Sequence, residues 1–162
     1  MTVPPAGVGP AIAGVAGAVF SDRNRMGEDN MADKVGFVGL GNMGGPMARN
    51  LLKAGVGVVV HDLDPRKVQA LSEAGAEVAA SPQAVARETT RSICMVETTA
   101  QAEAVIMGEA GFARTARAGH VVICMSTVDP FALKAMAAKL AAQDIAVLDA
   151  PVSGGTKGAA EA

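Results

Sequence analysis

The sequence has very few aromatic residues and no excess of charge of either sign. It contains four Phe and neither Trp nor Tyr, so it has few side chains on which unpaired nucleic-acid bases could stack. Its formal net charge is −2, with both signs interspersed, which leaves no basic face for a phosphate backbone. These absences argue against nucleic acid as a partner.

Cysteines and long hydrophobic runs are also scarce. Cys94 and Cys124 each lie in a short apolar run, without CxxC spacing or a neighbouring His/Cys cluster, which predicts buried free thiols rather than a metal or redox site. No apolar stretch reaches the roughly 20 residues that a membrane-spanning helix needs. We therefore expect a soluble, cytoplasmic protein with no metal and no membrane partner.

The composition of the chain changes at about residue 31. Residues 1–20 carry no charged side chain and are mostly Ala, Gly, Pro and Val. They weakly resemble the core of a signal peptide, but no Lys or Arg precedes them and their glycines lower the hydrophobicity. We predict a disordered extension over residues 1–31, whose presence in the mature protein stays open, and one folded domain over residues 32–162.

The most specific pattern is a glycine-rich turn between an apolar strand and a helix. Residues 35–38 form the apolar run, and Gly39, Gly41 and Gly44 follow with the spacing G-x-G-x-x-G. In such a turn the first glycine permits the tight bend and the second has no Cβ to hold a pyrophosphate away. The third lets the helix pack closely on the strand. The helix N-terminus then attracts phosphate, so the pattern predicts a dinucleotide site.

An acidic residue at a suitable distance supports this prediction. Asp62 follows a second apolar run, about twenty residues after the glycines, where a carboxylate binds the ribose hydroxyls of the adenosine. It would repel a 2′-phosphate, which favours NAD, but Arg66 and Lys67 could attract one, so NADP stays possible. A methyltransferase that binds S-adenosylmethionine through a similar turn is a weaker alternative.

The rest of the chain alternates short strands with helices. Asp64-Pro65 and Ser81-Pro82 each combine a capping side chain with proline at the first helical position. Strands are predicted at residues 35–38, 56–61, 77–79, 92–96, 120–125 and 145–148. This alternation predicts an α/β fold, a doubly wound parallel sheet of the Rossmann type with strand order 3-2-1-4-5-6. The segments after the strands should line one crevice: residues 39–44, 62, 95–99, 126–127 and 151–155.

Two later segments complete a resemblance to a known family. Met125-Ser126-Thr127 follows the fifth strand, and Ser153-Gly154-Gly155 follows the sixth. Together with residues 39–44, they closely resemble the β-hydroxyacid dehydrogenase family, which includes 3-hydroxyisobutyrate dehydrogenase and has 6-phosphogluconate dehydrogenase as a larger relative. The resemblance covers residue 34 to the end of the chain, with the motifs in the family's order.

The resemblance implies an oxidoreductase that transfers a hydride between NAD(P) and a small 3-hydroxy acid, with a semialdehyde as the oxidised form. It implies cofactor binding by Gly39, Leu40, Gly41, Asn42, Met43, Gly44, Asp62, Met95, Val96 and Thr127. It implies substrate binding by Ser126, Ser153, Gly154 and Gly155. Two departures from the family pattern are Glu97, where proline is usual, and Cys124, where Asp often stands.

In this family an all-helical second domain carries the lysine that acts as general acid/base and much of the dimer interface. The sequence stops at Ala162, before such a domain, so no catalytic residue is assigned. We expect the cofactor domain of a dehydrogenase, incomplete for catalysis alone, or a non-catalytic dinucleotide-binding module. Apolar surface that a second domain would cover predicts homo-oligomers or a separate C-terminal partner domain.

Overall fold

A computed structural model describes residues 34–161, so the predicted disordered extension lies outside the described residues. Strands and helices alternate along the chain. The strands are β1 (Lys34–Val38), β2 (Gly57–His61), β3 (Glu77–Val78), β4 (Arg91–Cys94), β5 (Val121–Cys124) and β6 (Ala146–Asp149). The helices are α1 (Gly44–Lys53), α2 (Pro65–Ser72), α3 (Pro82–Glu88), α4 (Thr99–Met107), α5 (Pro130–Ala141) and α6 (Gly155–Glu161), with a 3₁₀ helix at Phe112–Arg114.

The six strands form one parallel sheet with the order β3-β2-β1-β4-β5-β6. The predicted fold and strand order are therefore confirmed. After β3, the chain crosses back and adds the next strand, β4, on the other side of β1, so the strand order reverses between β1 and β4. There, Val38 at the end of β1 pairs with His61 of β2 on one side and with Cys94 of β4 on the other. In open α/β sheets, ligands bind beyond the carboxyl ends of the strands at such a reversal.

Four helices begin with a side-chain cap, two of which the sequence predicted. Asp64 accepts a hydrogen bond from the Arg66 N–H and caps α2, and Ser81 accepts one from the Ala84 N–H and caps α3. Thr98 and Asp129 cap α4 and α5 in the same way. Each cap satisfies a backbone N–H that has no partner inside its helix.

Two elements differ from the prediction. The fourth strand ends at Cys94, because the Val96 N–H donates to the Ser126 side chain instead of to a neighbouring strand. Helix α6 was not predicted, because its glycines and alanines show no apolar periodicity. It packs on α1, where the Asn50 side-chain amide donates to the Ala159 carbonyl at 3.0 Å.

Apolar side chains cover both faces of the sheet. One core cluster includes Val59 and Leu140, and the other includes Phe37 and Val60.

Cys94 and Cys124 lie opposite each other on the adjacent strands β4 and β5, and both are buried free cysteines, as predicted. The hydrogen bond to Cys124, together with burial, raises the pKa of the Cys94 thiol, so it stays protonated. Within residues 34–161, no helix is long and apolar enough to cross a membrane.

A small polar cluster lies at the amino-terminal side of the sheet, away from the ligand-binding edge. The Ser92 hydroxyl is 3.0 Å from Nε2 of His120 and 3.2 Å from the Thr89 hydroxyl, and all three residues are buried. Burial lowers the pKa of His120 to about 4, so the ring is neutral at physiological pH. The hydrogen bonds within the cluster satisfy polar groups that are buried in the core.

Candidate functional site

The three glycines of the turn after β1 have different surroundings. Gly39 has a φ of +94°, and a Cβ there would collide with the Met95 carbonyl oxygen. A Cβ at Gly44 would collide with the Gly39 carbonyl oxygen and press on Phe37. A Cβ at Gly41 would meet no atom within 4 Å, so this glycine borders open space. The turn therefore leaves room for a ligand to approach the backbone at Gly41.

Helix α1 begins at this turn without a side-chain cap. Its N-cap residue, Met43, makes no capping hydrogen bond through its side chain, and its first turn contains no acidic residue. The helices α2 to α5, by contrast, each receive a side-chain cap. An uncapped N-terminus beside an open glycine turn suits an anion, because it presents backbone N–H groups and the positive end of the helix dipole.

Asp62 joins the glycine turn to the end of β2. One carboxylate oxygen accepts a hydrogen bond from the Leu40 N–H at 2.6 Å, and the other accepts one from the Asp64 N–H at 2.8 Å. The Gly39 N–H also donates to the His61 carbonyl at 3.1 Å. A carboxylate has about four lone-pair sites, so Asp62 keeps acceptor capacity for a ligand's hydroxyl groups. It is fixed in place before any ligand binds.

A cavity of about 400 Å³ opens beyond the carboxyl ends of β1, β2 and β4. Its lining is mainly apolar, with a few polar side chains. It is formed by Val38, Gly39, Gly41, His61, Asp62, Leu63, Lys67, Pro82, Met95, Val96, Glu97, Gln101, Ala104, Val105 and Ala110. An apolar cleft with a few convergent polar groups is the usual form of a small-molecule site.

The structure brings only part of the predicted site to this cavity. Five predicted cofactor residues line it: Gly39, Gly41, Asp62, Met95 and Val96. Leu40, Asn42, Met43 and Gly44 belong to the same turn and helix start. Thr127, Ser126, Ser153, Gly154 and Gly155 follow β5 and β6, at the same edge of the sheet but outside the cavity lining.

The two predicted substrate segments differ in exposure. Ser126 is 1% exposed and its hydroxyl bonds to the loop after β4, whereas Thr127 beside it is exposed. Ser153 is also exposed, and Gly154 and Gly155 adopt φ values of +103° and +61° at the start of α6. The Ser153–Gly155 segment is thus accessible, with a backbone shape that favours glycine.

Sequence reasoning missed the part of the cavity lining that comes from α4 and from segments near it. Gln101, Ala104 and Val105 come from α4, while Pro82 and Ala110 come from neighbouring segments. Small apolar residues on a helix are as typical of the hydrophobic core as of a ligand site, so their residue type alone does not indicate a ligand site. The available signal was their position, because α4 directly follows β4 at the reversal point of the sheet.

The basic residues near Asp62 have different partners. The Arg66 side chain donates two hydrogen bonds to Asp64, from Nε at 3.1 Å and from a terminal nitrogen at 2.9 Å. The hydrogen bond from the Arg66 side chain lowers the pKa of Asp64, and the same bond raises the pKa of Arg66. Lys67, by contrast, lines the cavity.

Comparison with known proteins agrees with this geometry. Residues 34–162 match the family described as the NAD binding domain of 6-phosphogluconate dehydrogenase. The chain is 41% identical over 128 residues to mitochondrial 3-hydroxyisobutyrate dehydrogenase of Mus musculus, covering 78% of this chain and 38% of that protein. It is 42% identical over 126 residues to 2-(hydroxymethyl)glutarate dehydrogenase of Eubacterium barkeri, covering 78% of this chain and 42% of that protein.

A solved structure gives the same relationship. The crystal structure of 3-hydroxyisobutyrate dehydrogenase from Salmonella typhimurium superimposes with a TM-score of 0.74 at 36% identity, covering 79% of this chain and 45% of that one. The chain thus spans less than half the length of these relatives. The glycine turn, the parallel sheet and these matches agree, and the chain belongs to the family of the NAD binding domain of 6-phosphogluconate dehydrogenase.

Proposed function

We propose that this chain binds NAD(H) and serves as the cofactor domain of an enzyme that interconverts a small 3-hydroxy acid and its semialdehyde. The observation that carries the proposal is the open space at Gly41, at the uncapped start of α1. A pyrophosphate there would accept hydrogen bonds from backbone N–H groups. The adenosine would occupy the neighbouring cavity, and the nicotinamide would extend toward the ends of β4 and β5.

The surroundings of Asp62 support NAD over NADP. Its carboxylate lies at the cavity and is held by the Leu40 and Asp64 N–H groups, so it cannot easily turn away from a ribose. It would accept hydrogen bonds from ribose hydroxyls and repel a 2′-phosphate. Arg66 is engaged by Asp64, which leaves Lys67 as the cation that lines the cavity in the described part of the chain.

The substrate proposal rests on the Ser153–Gly155 segment and on the relatives. The segment is exposed at the same sheet edge as the glycine turn and combines a hydroxyl with loop backbone, which suits a small carboxylate. Two of the similar proteins are named as dehydrogenases of 3-hydroxyisobutyrate and of 2-(hydroxymethyl)glutarate. A 3-hydroxy acid is the chemistry that these names share.

The proposal includes an association surface at β6, the last strand of the described sheet. Leu148 on this strand is 44% exposed, and an unpaired strand edge with apolar side chains tends to associate. We propose that a second copy or a further domain covers it.

The test is calorimetric titration with NADH and NADPH, followed by an assay with 3-hydroxyisobutyrate. We expect micromolar NADH binding, weaker NADPH binding and little turnover by this chain alone. Asp62→Asn should weaken NADH binding about tenfold, since one charged acceptor is lost. Glu103→Gln, on the exposed surface of α4, is the matched control for removing one negative charge and should bind NADH normally.

The outcomes separate the parts of the proposal. If the chain binds neither nucleotide, the cofactor site is contradicted, and the chain has the fold of the family without its ligand-binding function. Tighter binding of NADPH than of NADH would overturn the assignment of Asp62. Binding without turnover in the presence of a supplied second domain would favour a non-catalytic module.

A further inference from the structure

The Ser126 hydroxyl is buried and already engaged. It accepts a hydrogen bond from the Val96 N–H at 2.7 Å and donates one to the Cys94 carbonyl at 3.4 Å. The residue is 1% exposed. A serine hydroxyl has a single donor, and here that donor is directed at backbone. The family resemblance implies that Ser126 binds the substrate. In this structure, however, a substrate cannot reach the Ser126 hydroxyl, and the hydroxyl has no free donor to offer it.

The partner of this hydroxyl belongs to a loop that forms one wall of the cavity. Met95, Val96 and Glu97 all line the cavity, and they follow the last residue of β4. The Met95 carbonyl oxygen also lies against Gly39, where even a Cβ would not fit. A shift of this loop would therefore change the width of the cavity. It would also change how the loop packs against the glycine turn.

Consecutive backbone N–H groups hold the loop in place. The Met95 N–H donates to the Val38 carbonyl at 2.9 Å, and the N–H groups of Glu97 and Thr98 donate to the Gln101 side chain at 2.9 and 3.2 Å. Between these two anchors, the Val96 N–H depends on the Ser126 hydroxyl. This bond also ties the ends of β4 and β5 together at the point where they reach the crevice.

We propose that Ser126 is a positioning residue of the cofactor crevice and not a substrate ligand. Its hydroxyl holds the Val96 peptide and thereby fixes the wall against which the cofactor packs. The proposal rests on the cofactor site proposed above. It predicts that loss of the hydroxyl weakens every ligand that uses this wall, whether or not the ligand carries a nicotinamide.

The test compares NADH with ADP-ribose, which lacks the nicotinamide, in titrations of wild type and Ser126→Ala. We expect Ser126→Ala to weaken both ligands by the same factor, roughly three- to tenfold for one lost hydrogen bond. Ser92→Ala is the matched control, because it also removes the hydroxyl of a fully buried serine. Ser92 lies in β4, next to β5, and its hydroxyl contacts His120 at the amino-terminal side of the sheet, away from the crevice. It should lower the melting temperature comparably and leave both affinities unchanged.

A loss confined to NADH would overturn the proposal, since it would indicate direct contact of Ser126 with the nicotinamide or with groups beside it. Unchanged affinity for both ligands would also overturn it. If Ser126→Ala does not fold, hydrogen exchange of the wild-type Val96 amide decides. Slow exchange supports the anchor, and exchange at the rate of an unprotected peptide refutes it. This measurement needs no ligand, so it stays valid even if wild type binds neither nucleotide and the cofactor proposal itself fails.

Discussion

Replacing Gly41 with alanine should abolish tight cofactor binding without harming the fold. The added Cβ would meet no protein atom within 4 Å, and Gly41 does not adopt a positive φ. Stability should stay level or rise by about 0.4–1 kcal/mol, because alanine restricts the unfolded chain more than glycine does. The methyl group would, however, stand in the space through which a pyrophosphate reaches the turn.

The expected loss of affinity follows from the hydrogen bonds at stake. Holding the phosphate away from one backbone N–H removes a charge-assisted hydrogen bond of about 1.5–3 kcal/mol, which weakens binding roughly ten- to 150-fold. Calorimetric titration with NADH measures this, and a urea melt measures stability. Gly158→Ala in α6 is the control, since a Cβ there makes only an ordinary contact at 3.9 Å. An affinity of Gly41→Ala within twofold of wild type would refute this placement of the pyrophosphate.

Three further predictions concern stability and association. Gly44→Ala should destabilise the fold by roughly 3 kcal/mol, because its Cβ would collide with the Gly39 carbonyl; a urea melt that matches wild type would contradict this. Burial lowers the pKa of His120 from 6.5 to about 4, so the unfolded chain binds a proton that the folded one rejects. The free energy of unfolding should therefore fall by about 2 kcal/mol from pH 7.5 to pH 5, and His120→Gln should remove most of this slope. Leu148→Lys should reduce self-association, measured by light scattering at ~100 μM; an unchanged molar mass would exclude the β6 edge as the contact.

The fold could be predicted because each local signal agreed with the others. Buried β-branched strands, capped helix starts such as Asp64 and Ser81, and a glycine turn at the first βα junction all indicate the same doubly wound sheet. The short helix α6 lacked any such signal. It depends on packing against α1 and on the Asn50 hydrogen bond, which are tertiary contacts between residues far apart in the chain.

The candidate site was predictable only where chemistry requires a particular residue type. Gly39 and Gly44 stand where no Cβ fits, and Asp62 supplies a carboxylate at the end of β2. Ala104 and Val105 line the same cavity through generic apolar surface, which many residue types could supply. A wall of this kind is visible only once the sheet has brought α4 beside the glycine turn.

Ser126 illustrates why a motif does not by itself assign a role. A serine after a strand at the ligand-binding edge is equally compatible with contacting a ligand and with holding the loop that does. The choice depends on whether its hydroxyl points into the crevice or into the sheet, and its contacts with Val96 and Cys94 show the second orientation. Thr127, one residue further along the chain, is exposed. If this segment contacts the nicotinamide, Thr127 is therefore the residue placed to do so, while the Ser126 hydroxyl holds the Val96 peptide.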